Sequence, residues 1–395
     1  MVDMSTQRSF GLALLGLFLL AANLRMALTS VAPVVSDIQA DLGLTGAQVS
    51  IVTSLPLLVF AIVSPLVPRL LVRWGIERTL IAGTGLLAVG LIVRSLPAAA
   101  LLWVGTGFIG LAIATLNVTL PALVKRDFPD RIGFVTGTYA AVQAGFAAIA
   151  AGLAVPISHA SGWGEAGWRL ATSVWCVMAL AAFAHLIIQG RRAGREAGVG
   201  TVPSSSFNPW KHPLAWAITG FMGFQSAMFY VIVAWMSSIE QSMGISAGAA
   251  GVHQAFMNIG SLVGSFSCSV LLSRLRGQRA IVVAIAVMMG VPLIILMHAP
   301  QIAGLLIFVE GIACGLAFAL SLSLFALRSR KPETAAALSG MGQGMGYVIA
   351  ASGPILLGAV HDATGQWTSG LWIMVAVSVL CLLCGLAAAK DTTVD

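Results

Sequence analysis

Long, uninterrupted runs of apolar residues occupy most of this chain. A run of about twenty apolar residues can cross the roughly 30 Å hydrocarbon core of a bilayer as a helix. Length and apolarity together predict twelve such helices. They cover approximately residues 10–35, 47–71, 79–97, 99–124, 132–157, 168–189, 213–239, 247–272, 280–298, 301–327, 335–360 and 368–389. Because the runs do not alternate in polarity, they favour helices over the strands of a membrane barrel.

The composition agrees with a membrane protein. The 395 residues are 58% hydrophobic and only 9% charged, whereas soluble domains carry roughly 25% charged residues. A bilayer removes the need for a charged surface and requires every backbone polar group to be hydrogen-bonded within the protein. The first apolar run is too long for the apolar core of a cleaved signal peptide, so we expect it to be retained as the first span.

Basic residues fall in alternate loops. With the N-terminus in the cytoplasm, twelve spans return the C-terminus there, and the cytoplasmic segments hold 18 of the 21 Lys and Arg residues. The exceptions are Arg25, Arg169 and Arg94. We expect Arg94 at the outer membrane interface, with a gate or cavity role as the alternative. The outer loops carry acidic residues instead, among them Glu165 and Glu240. This positive-inside distribution predicts two cytoplasmic termini, and it accounts for the net charge of +7 without a nucleic-acid partner.

The longest polar stretch divides the predicted helices into two sets of six. Residues 191–212 are predicted to be a cytoplasmic linker between halves 1–190 and 213–395. Two pairs of similar segments lie at matching places in the halves, residues 70–78 with 271–279 and residues 125–137 with 328–340. The sequence therefore predicts an all-α membrane protein, with twelve transmembrane helices in two parallel-repeat halves around a central cavity.

The loop after the second predicted span carries a degenerate signature. In the major facilitator superfamily this loop has the pattern Gly-x-x-x-Asp-x-x-Gly-Arg-[Lys/Arg]. Here Gly75 fits, whereas Val72 replaces the acid and Pro68 replaces the first glycine. Together with the twelve-helix pattern, the chain resembles this superfamily over its whole length, which implies the major facilitator fold.

A second set of motifs resembles the cyanate / 2-nitroimidazole permease subfamily. The matches keep their order and comparable positions: residues 23–25 (Asn-Leu-Arg), 53–58 (Thr-Ser-Leu-Pro-Leu-Leu), 117–121 (Asn-Val-Thr-Leu-Pro), 125–129 (Lys-Arg-Asp-Phe-Pro), 337–347 and 361–362 (His-Asp). The resemblance implies a bacterial inner-membrane carrier for a small polar or anionic solute. It does not fix which solute, because members of the subfamily move different ones.

Arg25 is the strongest candidate for a solute-binding residue. It lies about 15 residues into the first predicted span, where a guanidinium costs about 2.5–3.5 kcal/mol on insertion scales. We therefore expect it to face a polar cavity, where its planar donors suit a small anion. The alternative is a structural Arg that is bonded to helix carbonyls or paired with an acid. Asn23, on the same helix, is assigned to the same site.

Two ionisable residues in the second half are candidates for proton coupling. Glu310 is the only acid deep within a predicted span. It could carry the proton, pair with an Arg or a helix dipole, or lie near the outer interface. His253, in the eighth span, could bind a proton or the solute, or it could be a hydrogen-bonded structural histidine. Asn258 in the same span is a further solute-binding candidate.

The remaining candidates are amides and phenols inside predicted spans. Tyr139 and Gln143 are four residues apart, so they share one helix face. Aromatic members could stack on a planar solute such as an imidazole. Alternatively, these polar groups join helices to one another. The set comprises Asn117, Tyr139, Gln143, Gln225, Tyr230, Gln343 and Tyr347.

No nucleotide, metal or nucleophile motif is found, so we expect neither a cofactor nor an enzyme activity. The expected partners are a small solute, the bilayer and, if transport is coupled, protons, with the protein acting as a monomer. The first functional hypothesis is a secondary active transporter that works by alternating access. The alternative is an exporter of nitroimidazole-like drugs or other toxic small molecules. A membrane enzyme or receptor is disfavoured, because the longest loop is only about 23 residues.

Overall fold

A computed structural model describes residues 4–196, 207–275 and 277–395. This part of the chain is helical. Its α-helices, numbered in chain order, are α1 (Met4–Thr29), α2 (Val35–Leu42), α3 (Gly46–Val63), α4 (Val67–Arg94), α5 (Ala99–Asp127), α6 (Ile132–Ala160), α7 (Trp168–Ser173), α8 (Cys176–Glu196), α9 (Pro213–Ser242), α10 (Ala247–Arg274), α11 (Arg279–Leu296), α12 (Ala303–Leu327), α13 (Pro332–Thr364) and α14 (Thr368–Ala388). Short 3-10 turns adjoin them at Ala32–Val34, Ser64–Leu66, Pro129–Arg131, Gly164–Gly167, Pro209–Lys211 and Pro300–Ile302.

Within the described residues, 11 helical segments are long and apolar enough to cross a membrane. The difference from twelve arises in the 40-residue segment Leu55–Arg94, which joins the second and third predicted spans. At about 1.5 Å per residue, this length is roughly twice the hydrocarbon core. The segment breaks at Gly75, whose φ of 76° and ψ of 169° are not helical. Glycine adopts this backbone conformation at little steric cost. The break therefore favours two spans, although the count of twelve stays a prediction.

Local sequence explains where several helices begin and end. Thr45 and Gln48 form a capping box at the start of α3, with Gln48 N donating to Thr45 Oγ1 at 3.3 Å and Thr45 N to Gln48 Oε1 at 2.8 Å. Ser246 caps α10 by accepting from Ala249 N at 3.3 Å. Gly365 ends α13 with a φ of 67°, a left-handed cap that glycine favours.

The structure divides into two compact units. Unit 1 comprises Met1–Leu123 and Gly145–Ser204, and unit 2 comprises Val124–Ala144 and Ser205–Asp395. Of the predicted linker 191–212, residues 197–206 lie outside the described residues. The division into halves 1–190 and 213–395 stays a prediction.

Unit 1 contains a buried apolar cluster next to a network of polar contacts. Val34, Ile38 and Trp168 are fully enclosed in the cluster. The indole of Trp168 donates to Asp41 Oδ2 at 2.9 Å, and Arg169 Nη2 is 2.6 Å from the same oxygen. One carboxylate thus joins α2 to α7.

Arg94 is buried at the end of α4. Its predicted position at the outer membrane interface stays a prediction. Its Nη1 donates to the carbonyl of Ala27 at 2.7 Å and its Nη2 to that of Thr172 at 3.4 Å. Three chain segments of unit 1 are tied together through this guanidinium, which gives Arg94 a structural role.

In unit 2, α10 and α12 approach each other closely through glycines. A methyl group at Gly260 or Gly264 would overlap the carbonyl oxygen of Phe308 or Ile312 on α12. In the opposite direction, a methyl group at Gly311 or Gly315 would overlap the carbonyl oxygen of Met257 or Ser261 on α10. Small residues spaced four apart allow this backbone approach. The two helices therefore form a closely packed pair inside unit 2.

The first part of α6 packs against the end of α10, also inside unit 2. A methyl group at Gly137 would lie 2.5 Å from the backbone nitrogen of Ser269. The Ser269 hydroxyl donates to the carbonyl of Phe134 at 2.8 Å. This contact defines which face of α6 is turned toward α10.

Candidate functional site

The candidate residues are distributed over both units. Unit 1 contains Asn23, Arg25 and Asn117, and unit 2 contains Tyr139, Gln143, Gln225, Tyr230, His253, Asn258, Glu310, Gln343 and Tyr347. All of them lie inside long helices, as predicted.

Tyr139 and Gln143 present buried donors without a protein partner. Each residue is 1% exposed, and neither the Tyr139 hydroxyl nor Gln143 Nε2 has a hydrogen-bond partner among the described residues. They follow Gly137 by two and six residues, which places them about 200° and 240° around α6. They therefore lie on the side of α6 opposite to α10. Buried polar groups are normally hydrogen-bonded, so two such donors on one helix face are suited to an acceptor group of a ligand.

Thr136 adds a third polar group to this face of α6. Its buried hydroxyl also lacks a partner within residues 4–196, 207–275 and 277–395. It lies about 260° around the helix from Gly137, close to the direction of Gln143. We did not single out Thr136 from the sequence, although its spacing of three from Tyr139 was visible there.

Arg25 and Asn23 lie near the end of α1 and have different surroundings. The Asn23 amide donates to the carbonyl of Leu19 at 2.8 Å and to that of Met178 on α8 at 3.1 Å. Both of its N–H groups are therefore used to join α1 to α8. Arg25 is half-buried, and its carbonyl accepts from the Thr29 hydroxyl at 3.0 Å.

The amides of α9 and α13 have partners within their own helices. Gln225 Nε2 donates to Ser226 Oγ at 2.7 Å and to the carbonyl of Met222 at 3.1 Å. Gln343 Nε2 donates to Ser339 Oγ at 2.8 Å. Both side chains are buried. Their local bonds are the kind of packing interaction that we considered as the alternative to a solute contact.

The other candidates differ in burial. Asn117 and Tyr347 are buried, Tyr230 is half-buried beside the Phe229 ring, and Asn258 is exposed. The Asn258 amide donates back to the carbonyl of Gln254 at 3.1 Å, one turn earlier in α10. Exposure leaves the rest of the Asn258 side chain accessible from outside the helix.

The side chain of Glu310, on α12, is buried in the protein. It is 1% exposed, and both of its carboxyl oxygens lack a hydrogen-bond partner in the part of the chain that the structure describes. It precedes Gly311, which faces α10, by one residue, or about 100° around the helix. An ionised carboxylate that is buried without a partner is costly. The site therefore favours a carboxyl group that carries its own proton.

His253 is paired with an acid that we had placed in an outer loop. Its Nδ1 is 2.5 Å from Oε1 of Glu240. The prediction for Glu240 was wrong, because α9 continues to Ser242 and the Glu240 side chain is 1% exposed. Helix length was underestimated by about one turn there, and the carboxylate is turned inward.

Comparison with known proteins identifies relatives over almost the whole chain. A family model described as Major Facilitator Superfamily matches residues 14–351. An uncharacterized transporter of Bacillus subtilis (strain 168), YycB, is 37% identical, covering 95% of this chain and 93% of that protein. The 2-nitroimidazole transporter of Escherichia coli (strain K12) is 36% identical over 95% of each chain. The cyanate transport protein CynX of the same organism is 26% identical over 94% of this chain and 95% of its own.

A solved structure supports the same fold. The proton:xylose symporter XylE superposes with a TM-score of 0.76 at 13% identity, covering 95% of this chain and 94% of that one. At this identity the similarity concerns the fold alone.

Long apolar helices with buried polar side chains, together with these relatives, define a multi-pass membrane transporter of small solutes rather than an enzyme. The chain belongs to the Major Facilitator Superfamily. The resemblance to this superfamily and to its cyanate / 2-nitroimidazole carriers is thereby confirmed.

Proposed function

We propose that this protein is a secondary active transporter of the bacterial inner membrane that carries a small polar or anionic solute by alternating access, coupled to protons. It has twelve spans in two six-helix halves, both termini lie in the cytoplasm, and it acts as a monomer. The solute is a cyanate-like anion or a small heteroaromatic compound, the chemistry for which two relatives are named.

The observation that carries this proposal is the pair of buried, unpartnered donors on α6. The Tyr139 hydroxyl and the Gln143 amide can both donate to an anionic or nitro oxygen. A buried donor without a partner costs about 1–3 kcal/mol. A solute that accepts hydrogen bonds from both groups would remove this cost. In unit 1 the candidate contacts are Arg25, for an anionic solute, and Asn117, and in unit 2 the further candidates are Tyr230, Asn258 and Tyr347.

Flux into liposomes containing the purified protein tests the proposal. The panel should include cyanate, small carboxylates and 2-nitroimidazole. We expect saturable uptake of at least one compound, with exchange of labelled for unlabelled solute across the membrane. Absence of flux and exchange for every compound would contradict the proposed function.

Removing the α6 donors should weaken solute binding. Tyr139→Phe and Gln143→Leu each delete one donor with little change in volume. A net hydrogen bond of about 0.5–1.5 kcal/mol corresponds to a roughly two- to tenfold higher half-saturation concentration for each variant. Thr138→Val, which changes the α10 side of the same helix, serves as the control and should leave that concentration unchanged. If the half-saturation concentration is unchanged in both donor variants, α6 does not contribute to the binding site.

Glu310 is the proposed proton-coupling residue. Glu310→Gln keeps the shape but cannot release a proton, so we expect uptake driven by a pH gradient to be lost while solute exchange at equal pH continues. The exposed acid Glu165 provides a control in Glu165→Gln, which should retain both activities. A Glu310→Gln protein that still accumulates solute against its gradient would exclude this role.

Export of nitroimidazole-like compounds is the alternative function. The relative at 36% identity is named for 2-nitroimidazole, a name that gives a solute without a direction of transport. A deletion strain distinguishes the two directions. An exporter predicts lower tolerance to 2-nitroimidazole after deletion, whereas an importer predicts equal or higher tolerance.

A further inference from the structure

A buried acid and a histidine meet at the end of unit 2 that carries the α9–α10 loop. Glu240 lies in the last turn of α9, and His253 lies in the second turn of α10. Their contact joins Glu240 Oε1 to His253 Nδ1 at 2.5 Å. The carboxylate is 1% exposed and the imidazole side chain 18%. The two helices are thus held together by a hydrogen bond between titratable groups.

The imidazole also contacts a third helix. A methyl group at Gly304, at the start of α12, would lie 2.8 Å from His253 Nε2. Glycine at this position allows the ring to lie against the α12 backbone. The ring of Phe256, one turn later in α10, is tilted at a centroid distance of 6.2 Å. The pair therefore sits where α9, α10 and α12 converge.

No fixed positive charge in these helices accounts for the buried carboxylate. Neither α9 nor α12 contains Lys or Arg, and α10 contains only Arg274 at its opposite end. Glu240 also lies at the C-terminal end of α9, where the helix dipole disfavours an anion. Its charge is therefore balanced by a proton, held either on the imidazole or on the carboxyl group itself.

The other ionisable groups on the adjoining helices are few. On α12 the next one is Glu310, six residues beyond Gly304. On α13, which packs against α9, His361 and Asp362 lie 3.7 Å apart, and the His361 ring stacks on Trp367 at 3.9 Å. The helix α14 contains no charged residue. Among the ion pairs of the described residues, Glu240 and His253 pair only with each other.

We propose that Glu240 and His253 together form a proton-binding site that is separate from Glu310. The single proton bound by the pair stabilises the packing of α9, α10 and α12 at this end of unit 2. Loss of the proton to water leaves a buried carboxylate without a balancing charge beside a neutral imidazole. The imidazole Nδ1–H can still donate to the carboxylate, but the packing of the three helix ends is destabilised. Proton binding by the pair does not depend on a solute, whereas its coupling to solute movement rests on the proposed proton-driven transport.

Thermal unfolding of purified protein across pH tests the site without any solute. The double variant Glu240→Gln with His253→Asn can keep a hydrogen bond but holds no titrating proton. We expect the wild-type Tm to fall by about 2–4 °C more than that of the double variant between neutral and alkaline pH, because deprotonation leaves a buried charge. His298→Asn, which alters an exposed histidine bonded to its own helix, should follow the wild type. Equal pH dependence in the wild type and the double variant would overturn the proposal.

Histidine labelling of the wild-type protein gives a second readout that needs no variant. Diethylpyrocarbonate reacts with neutral imidazole, so mass spectrometry can compare His253 with His298 in one sample. We expect His253 to be labelled at least tenfold more slowly at neutral pH, with the difference shrinking as the pH rises. A ratio that is independent of pH, together with equal pH dependence of the Tm in the wild type and the double variant, would contradict a bound proton. If the wild type moves no solute but both signals appear, the proton site stands and the proposed function fails.

Discussion

Alanine at Gly264 should prevent unit 2 from folding stably. The added methyl group would overlap the carbonyl oxygen of Ile312, which belongs to a helix backbone and cannot rotate away as a side chain could. Relief requires α10 and α12 to separate along their length, which would also disturb the contacts at Gly260 and Gly315. Overpacking typically costs about 1–3 kcal/mol, and a backbone overlap lies at or beyond the upper end of this range. We therefore expect little folded protein after extraction in mild detergent and a clearly lower Tm in what remains.

The same helix supplies a matched control. Gly251 also lies in α10, but a methyl group there would have no atom within 4 Å. Gly251→Ala should therefore fold as well as the wild type, and it gains the higher helix propensity of alanine, about 1 kcal/mol at an exposed site. Size-exclusion profiles and Tm values of the two variants give the comparison. If Gly264→Ala were as stable as Gly251→Ala, the reciprocal glycine contact between α10 and α12 would be incorrect.

The positions of most helices could be predicted from the sequence because hydrophobicity and length are strong constraints in a bilayer. The glycine contacts were also visible in principle, since Gly260 and Gly264, and Gly311 and Gly315, are each four apart. Spacing alone does not say which helix faces a given glycine, so the pairing of α10 with α12 required the three-dimensional structure.

Candidate polar residues could be found from the sequence, but their hydrogen bonds could not. Asn23 was assigned to the same site as Arg25, yet its amide bonds to the carbonyl of Met178, which is 155 residues away in the chain. Tyr139 and Gln143 share a helix face as predicted, and their lack of partners depends on what packs around α6. Glu240 was misplaced because an acid near a predicted helix end looks solvent-exposed, whereas one more turn of α9 brings it to His253.

Lysine at Arg25 should abolish efficient transport of an anion while leaving the protein folded. Lysine keeps the positive charge but lacks the planar pair of donors that matches a carboxylate or a small linear anion. Hydrogen bonds to charged groups contribute about 1.5–3 kcal/mol, which corresponds to a roughly ten- to 150-fold loss of affinity. The measurement is the half-saturation concentration for cyanate or a small carboxylate in liposomes, compared with that for a neutral heteroaromatic solute.

The choice of control separates a solute-binding Arg25 from a structural one. Arg73 is exposed in the break between the second and third predicted spans, so Arg73→Lys makes the same chemical change without altering transport or Tm. A structural Arg25, bonded to helix carbonyls near the end of α1, predicts that Arg25→Lys lowers the Tm and slows all solutes equally. A solute-binding Arg25 predicts an unchanged Tm and a loss confined to anions, because only an anion exploits the bidentate donors. Near-normal affinity for anions in Arg25→Lys would rule out the anion site, whatever its effect on stability.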